Sequence, residues 1–155
     1  EMDKKMMEIV GKYNVPYVMM HMKGNPQNMI RKTNYDDMLK EIIKYFSKKI
    51  NQAVSYKIND MIIDPGFGFA KDLKQNYDLL SNIDLLKILD KPIMVGISRK
   101  SMIYQSLKTN AKESLNGTTV LNTVSLIKGA SILRVHDVKE ANECIKLISA
   151  LNNQG

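Results

Sequence analysis

The stretch DMIIDPGFGFAK, residues 60–71, decides the fold of this chain. An apolar run meets an aspartate, Asp64, and then a proline and two glycines that alternate with Phe67 and Phe69. A short apolar run that ends in turn residues is typical of a buried strand. Asp-Pro-Gly alone is common turn chemistry, but glycines let a backbone approach a ligand, and exposed phenylalanines need a flat partner. We therefore interpret Asp64 as a binding group for paired N–H donors, such as the edge of a guanidine-like heterocycle.

Strand and helix patterns alternate along the rest of the chain. The strand patterns are apolar almost throughout, and they lie at about 16–22, 59–64, 92–97 and 131–136. Helical patterns with a 3.6-residue period follow them, at about 35–50, 79–86, 111–128 and 138–148. Strands that are apolar on both faces favour a parallel sheet covered by helices, which leaves a (β/α) barrel or a doubly wound sheet.

Polar residues at the strand ends favour the barrel. His21, Asp64, the Ser-Arg-Lys run at 98–100, and Arg134 with His136 each follow a different strand, where a barrel collects its active site. A complete barrel usually has about 250 residues. This chain has 155 and opens within a helical pattern. We therefore expect an α/β fold in which residues 1–155 form one partial domain, the C-terminal half of a TIM (β/α)8 barrel with about four βα units.

Two further segments predict an anion site. In GISRKS, we expect Ser98 to lie where strand becomes helix, so that its hydroxyl and the free amides of the first turn bind an anion. Arg99 and Lys100 follow, and positive charge at a helix start opposes the helix dipole unless an anion is bound. In RVHDV, Arg134 and His136 are two residues apart on a strand and project to one side. The planar guanidinium of an arginine presents several N–H donors, which suit phosphate or pyrophosphate.

Composition excludes several classes of protein. The net charge is +7, but the lysines are spread over helix faces and few aromatics accompany them, which argues against nucleic-acid binding. We find no leader and no apolar run of roughly 18 residues, so we expect a cytoplasmic protein with no membrane partner. The single cysteine, Cys144, rules out an internal disulfide and is expected to be a small core residue. Lys71 stands where a dinucleotide-binding fingerprint needs its third glycine.

Four segments carry a resemblance to a known family. VMMHMKGNPQNM, IIDPGFGFAKDLKQNYDLL, MVGISRKSMI and ILRVHDVKEA resemble, in order and spacing, the bacterial dihydropteroate synthases, which are folate-pathway enzymes that sulfonamides inhibit. The resemblance implies a pterin-binding (β/α)8 barrel. It also implies a transferase that condenses 6-hydroxymethyl-7,8-dihydropterin diphosphate with p-aminobenzoate to give 7,8-dihydropteroate and pyrophosphate. A homodimer is the expected assembly of the complete enzyme.

The resemblance also implies roles for individual residues. Asp64 would bind the pyrimidine edge of the pterin, and Lys100 would contact the pterin and shape the aminobenzoate pocket. Ser98 would receive the aminobenzoate carboxylate, and Arg134 with His136 would hold the leaving diphosphate. Lys100, Arg134 and His136 are the expected catalytic residues. The implied substrate-binding residues are Met20, Asp64, Phe67, Phe69, Gly96, Ser98, Lys100, Arg134 and His136.

The sequence also departs from the family pattern. Ala70 replaces a glycine of GFGFGK, and LNGTTV around Gly117 differs modestly from the family's serine and glycine pattern. Mg²⁺ is implied for the family, but its asparagine ligand and the residues of the early strands have no counterpart here, so no metal ligand is predicted. Two alternatives stay open. One is another pterin-binding barrel, such as a methyltetrahydrofolate methyltransferase, and the other is a non-catalytic half-barrel remnant or basic binding module.

Overall fold

The computed structural model describes residues 5–24 and 33–152. Residues 1–4 of the predicted opening helix, and residues 25–29 of the first resemblance segment, lie outside the described residues. The strands are β1 Tyr17–Met20, β2 Met61–Asp64, β3 Met94–Val95 and β4 Ile132–Leu133. The helices are α1 Met6–Tyr13, α2 Met38–Ser55, α3 Leu73–Ser81, α4 Ser101–Ser106, α5 Leu115–Ile127 and α6 Val138–Asn152, with a 3₁₀ helix at Ile83–Leu89. Within these described ranges, no helix combines the length and apolar character that a membrane crossing requires.

The strands are parallel neighbours in chain order. β1 pairs with β2 so that Met20 lies opposite Asp64, and β3 pairs with β4. A single parallel bridge between Ile63 and Ile93 joins the two pairs, and the Ile63 amide donates to the Pro92 carbonyl at 3.0 Å. The predicted alternation of parallel strands and helices is therefore confirmed. All four strands end at one edge, which brings the residues that follow them together.

Local capping sets where the helices begin. The sequence predicts that α2 starts near Tyr35 with Asn34 as its cap, and this is wrong by about three residues. Asp37 caps the helix instead, because its carboxylate accepts the Lys40 amide at 3.1 Å. The helix α3 begins with a reciprocal capping box between Asp72 and Gln75. The predicted pattern at 79–86 is divided between the end of α3 and the 3₁₀ helix.

The core lies between the sheet and the helices. Ile42 and Phe46 of α2, Ile63 of β2 and Leu79 of α3 are fully buried. Cys144 of α6 is buried with its Sγ 3.7 Å from a carbonyl oxygen of α5, so the prediction of a packed cysteine is confirmed. This core fixes the sheet against α2 and α3 and leaves the strand ends free to carry polar groups.

Candidate active site

A buried carboxylate ends β2. Asp64 is 6% exposed, and its Oδ1 accepts the Gly66 amide at 2.8 Å. Its Oδ2 accepts no hydrogen bond from the part of the chain that the structure describes. Burial raises the pKa of Asp64, while the Gly66 hydrogen bond and the positive charges of Lys100, Arg134 and Lys71 oppose that rise. One oxygen of this buried carboxylate is therefore hydrogen-bonded within the loop, and the other has no donor among the described residues.

Lys100 lies against the loop that follows β2. Its Nζ donates to the Phe67 carbonyl oxygen and lies 4.7 Å from the centroid of the Phe69 ring. Burial lowers the pKa of Lys100 to about 8, with the Asp64 charge opposing this shift and the Arg134 charge adding to it. The Phe67 ring is fully buried in the core, so Phe67 presents its carbonyl oxygen, and not its ring, to Lys100. Phe69 is half-buried and keeps part of its ring accessible.

A cavity of 160 Å³ lies between the ends of β3 and β4. Gly96, Ser98, Lys100, Arg134, Val135 and His136 line it. Arg134 and His136 are exposed to this space, and no described carboxylate forms an ion pair with Arg134. A Cβ at Gly96 would lie 3.2 Å from Arg134 Nε, so a glycine there leaves room for the guanidinium. The cavity thus brings together Arg134 and His136, two of the predicted groups.

Ser98 differs from its predicted position. Helix α4 begins at Ser101, with Lys100 in the cap position, so Ser98 lies before its first turn. The Ser98 hydroxyl lies 3.0 Å from His136 Nδ1 and accepts the His136 amide at 3.2 Å. The expectation that this hydroxyl joins the free amides of a helix is wrong, because it connects the end of β3 to the end of β4.

Arg99 belongs to a structural ion pair. Its Nε and Nη2 donate to the two carboxylate oxygens of Asp137, each at 2.8 Å. Its Nη1 donates to the carbonyl oxygens of Ala111 and Lys112 at 2.9 and 2.6 Å. The hydrogen bonds from Arg99 lower the pKa of Asp137. The expectation that Arg99 needs a bound anion is therefore wrong, because a side chain 38 residues away supplies the negative charge.

A larger cavity of 460 Å³ lies beside the loop that follows β2. Gly68 and Lys71 line one side of it, and Ser101 and Gln105 of α4 line another. A Cβ at Gly68 would lie 3.4 Å from Lys100 Cδ, so this cavity adjoins Lys100. Ser101 is not among the residues predicted from the sequence, although the second serine of GISRKS is the signal that points to it.

The structure also shows a buried pair that is not predicted from the sequence. Lys71 is 7% exposed, and its Nζ lies 3.1 Å from Nδ1 of His21. Burial lowers the pKa of Lys71 to about 7. Burial, and then the Lys71 and Lys23 charges, lower the pKa of His21 to about 3. Met20, the residue before His21, is half-buried, and its Cγ would lie 3.6 Å from a Cβ at Gly66.

Comparison with known proteins places this geometry in context. A family model described as pterin binding enzyme matches residues 1–136. A dihydropteroate synthase of Escherichia coli strain K12 is 38% identical over 146 residues, which are 93% of this chain and 52% of that protein. The Bacillus subtilis dihydropteroate synthase is 31% identical over 155 residues, which are 99% of this chain and 52% of that protein. The chain therefore spans about half the length of the curated relatives it matches.

Solved structures agree with these sequence matches. The Yersinia pestis dihydropteroate synthase with a sulfonamide drug complex superposes with a TM-score of 0.95 at 36% identity, covering 98% of this chain and 56% of that chain. The Thermus thermophilus enzyme in complex with 4-aminobenzoate gives a TM-score of 0.93 at 30% identity, covering 97% of this chain and 62% of that chain. A further structure of the Thermus thermophilus enzyme is a complex with 6HMPPP.

Proposed function

Because this chain belongs to the pterin-binding enzyme family, we propose that its protein is a dihydropteroate synthase of folate biosynthesis. The reaction joins 6-hydroxymethyl-7,8-dihydropterin diphosphate to p-aminobenzoate and releases pyrophosphate. One observation carries this proposal. A buried carboxylate, Asp64, shares a strand-end site with Lys100 and with Arg134, which has no carboxylate partner among the described residues. A pterin supplies the N–H donors for the first group, and a diphosphate supplies the negative charge for the others.

Asp64 binds the pyrimidine edge of the pterin in this proposal. Its Oδ1 accepts a hydrogen bond from the Gly66 amide, and its Oδ2 faces no described donor. An N–H group of the ligand therefore donates the hydrogen bond that Oδ2 lacks. Burial makes that hydrogen bond strong, because a desolvated carboxylate has no water to replace the ligand. Met20 and Phe69 supply apolar contacts beside it, and Phe67 contributes through its backbone.

Arg134 and His136 receive the diphosphate. As the C–O bond breaks, its electron pair leaves with pyrophosphate and a pterin-stabilised cation remains. The lone pair of the arylamine then forms the new C–N bond, and the amine gives its proton to the released pyrophosphate or to water. Fixed donors at the leaving group are worth several kcal/mol, on the order of 3, in the transition state. Ser98 serves this step by holding His136 through its main chain and ring.

Lys100 links the two halves of the reaction. It lies between the Phe67 carbonyl, the Phe69 ring and the cavity of Arg134. A pKa of about 8 keeps this lysine mostly cationic near neutral pH, so it offsets negative charge that develops on the diphosphate. The aminobenzoate enters the neighbouring cavity lined by Gly68 and Ser101, and sulfonamides compete with it there.

The family implies Mg²⁺, whose asparagine ligand has no counterpart in this chain. Within residues 5–24 and 33–152, no three His, Cys, Asp or Glu side chains cluster in a way that could hold a metal ion. The steps above therefore use only side chains of this chain.

We also propose that residues 1–155 form one partial domain, half of a (β/α)8 barrel. The sheet supports this, because the face away from the helices carries Val18, 42% exposed, and Ile62 beside it in register. A further four strands would cover these apolar groups. A homodimer and a cytoplasmic location complete the proposal, and exposed apolar residues on the last two helices, Ile127, Leu147 and Leu151, suit a dimer contact.

A binding experiment separates this function from the alternatives. We expect calorimetry on the full-length protein to detect binding of the pterin diphosphate and weak or no binding of methyltetrahydrofolate. A methyltransferase has no use for a diphosphate site and would show the opposite preference.

Asp64→Asn should weaken pterin binding by about 1–3 kcal/mol, because the amide offers a donor where an acceptor is needed. The affinity for inorganic pyrophosphate should be nearly unchanged. Preference for methyltetrahydrofolate, or equal losses for both ligands in the variant, would contradict the assignment.

A further inference from the structure

We infer that Lys71, buried beside the loop that follows β2, is a positioning residue that holds this loop in the shape that the substrate site needs. Its charge also acts on Asp64, together with the charges of Lys100 and Arg134. The role of Lys71 in the loop rests on its own hydrogen bonds, and only the choice of pterin as the ligand rests on the proposed function.

The contacts of Lys71 match the donors of an ammonium group. Its Nζ lies 3.1 Å from His21 Nδ1, 3.0 Å from the Gly66 carbonyl oxygen and 3.1 Å from the Phe69 carbonyl oxygen. A protonated lysine carries three N–H donors, so these three acceptors satisfy it completely. A buried cation without such a shell would be strongly unfavourable. The three contacts therefore use every donor of the charged lysine, while burial lowers its pKa to about 7.

Two of these contacts lead directly to the substrate site. The Gly66 residue that accepts from Lys71 also donates its amide to Asp64 Oδ1 at 2.8 Å. The Phe69 residue that accepts from Lys71 also places its ring 4.7 Å from Lys100 Nζ. One ammonium group thus fixes the backbone that orients Asp64 and the backbone that carries the wall beside Lys100.

The third contact connects this loop to β1. His21 follows β1, and its amide donates to the Asp64 carbonyl at 2.9 Å. Its ring packs edge-on against Tyr45 with centroids 5.0 Å apart. Because Lys71 donates to Nδ1 while charged, the His21 proton must be on Nε2. Lys71 therefore selects one tautomer of a buried, neutral histidine.

The charge of Lys71 is one of several that act on Asp64. The cations that face this carboxylate come from three loops, and they are Lys71 after β2, Lys100 after β3 and Arg134 after β4. Lys71 also faces His21. The charge of Lys71 and that of Lys23, which follows β1, both lower the pKa of this histidine, after the larger effect of burial. Loss of the Lys71 charge should raise the pKa of Asp64 further, because burial would then be opposed by two cations.

Lys71→Met tests the inference, with Lys74→Met as the matched control. Lys74 is an exposed lysine of α3, so its variant removes the same charge without touching the loop. We expect Lys71→Met to weaken binding of 6-hydroxymethyl-7,8-dihydropterin diphosphate to the full-length protein by about tenfold or more, as loss of a hydrogen-bonded buried charge implies. The acidic limb of the curve of pterin affinity against pH should also move to higher pH in this variant. Lys74→Met should change neither. A limb that stays in place, or equal affinities in the two variants, would overturn the inference.

A second measurement does not depend on ligand binding or on the variant folding. Nitrogen-15 NMR of labelled histidine in the wild-type protein should show His21 protonated on Nε2 at a pH of about 6, below the pKa of about 7 of Lys71, with His21→Gln assigning the signal. As Lys71 loses its proton, the neutral ring should change tautomer, so that Nε2 loses its proton to solvent and Nδ1 gains one and donates it to the lysine lone pair. A His21 tautomer that is fixed on Nδ1 at every pH would overturn the inference. Wild-type protein that fails to bind the pterin but shows this tautomer change would reject the proposed function alone.

Discussion

Replacing Gly66 with alanine perturbs the contact between the end of β1 and the loop that carries the site. A Cβ at Gly66 would lie 2.0 Å from the His21 carbonyl oxygen and 3.1 Å from its carbonyl carbon. Gly66 also has φ of +73°, which costs an alanine about 1–2 kcal/mol. Relief of the clash requires movement of the backbone at β1, and overpacking of this kind costs about 1–3 kcal/mol. The expected loss of unfolding free energy is therefore about 2–5 kcal/mol.

Gly68→Ala is the matched control. Gly68 has a similar φ of +78°, but the nearest atom to its Cβ would be Lys100 Cδ at 3.4 Å, the flexible part of a side chain. The unfolding free energy of this variant should fall only by the cost of a positive φ at an alanine, about 1–2 kcal/mol. Urea unfolding of the full-length protein measures both, provided that the two variants keep the wild-type m-value. Equal losses for the two variants would refute the reasoning, because they would show that the His21 carbonyl does not constrain Gly66.

Three further predictions follow from the site. Lys100→Met should reduce turnover by on the order of a hundredfold, because this side chain stabilises the negative charge that develops on the diphosphate, while the melting temperature should change little. Steady-state kinetics and calorimetry measure the two effects, and near-normal turnover would contradict the prediction. Arg99→Gln should lower the melting temperature, since Asp137 loses its bidentate partner, and a variant as stable as wild type would argue against that clamp. His21→Gln should remove part of the acid sensitivity of stability. The folded-state pKa of His21 is about 3 and its ordinary value is 6.5, so the unfolded chain binds the extra proton between those values and wild-type stability falls as pH drops through them. Parallel stability curves for wild type and variant in that range would contradict this.

The end of β2 was predictable because it depends on local pattern, whereas β1, β3 and β4 end two or three residues before their predicted ends. The apolar run before Asp64 ends where β2 ends. The prediction that Arg134 and His136 lie on a strand is wrong, because β4 ends at Leu133, although both residues line one cavity. Helix starts were less predictable. Asn34, Asp36 and Asp37 are all able to cap α2, and only the backbone geometry selects Asp37.

The partners of the charged residues were not predictable from the sequence. Arg99 and Lys100 are adjacent and both basic, yet one pairs with Asp137 and the other lines the cavity. That difference depends on a contact between residues 38 apart in the chain. Lys71 is a further case, because sequence rules expect a lysine to be solvated, and only tertiary packing buries it against His21.

The most direct test of the central claim is product formation by the purified full-length protein. The protein is incubated with 6-hydroxymethyl-7,8-dihydropterin diphosphate and p-aminobenzoate, and the products are measured by liquid chromatography with mass spectrometry. We predict dihydropteroate and pyrophosphate in equal amounts, with no dihydropteroate when p-aminobenzoate is omitted and less when a sulfonamide is added. Folded protein that binds the pterin diphosphate but releases no dihydropteroate would contradict the assignment.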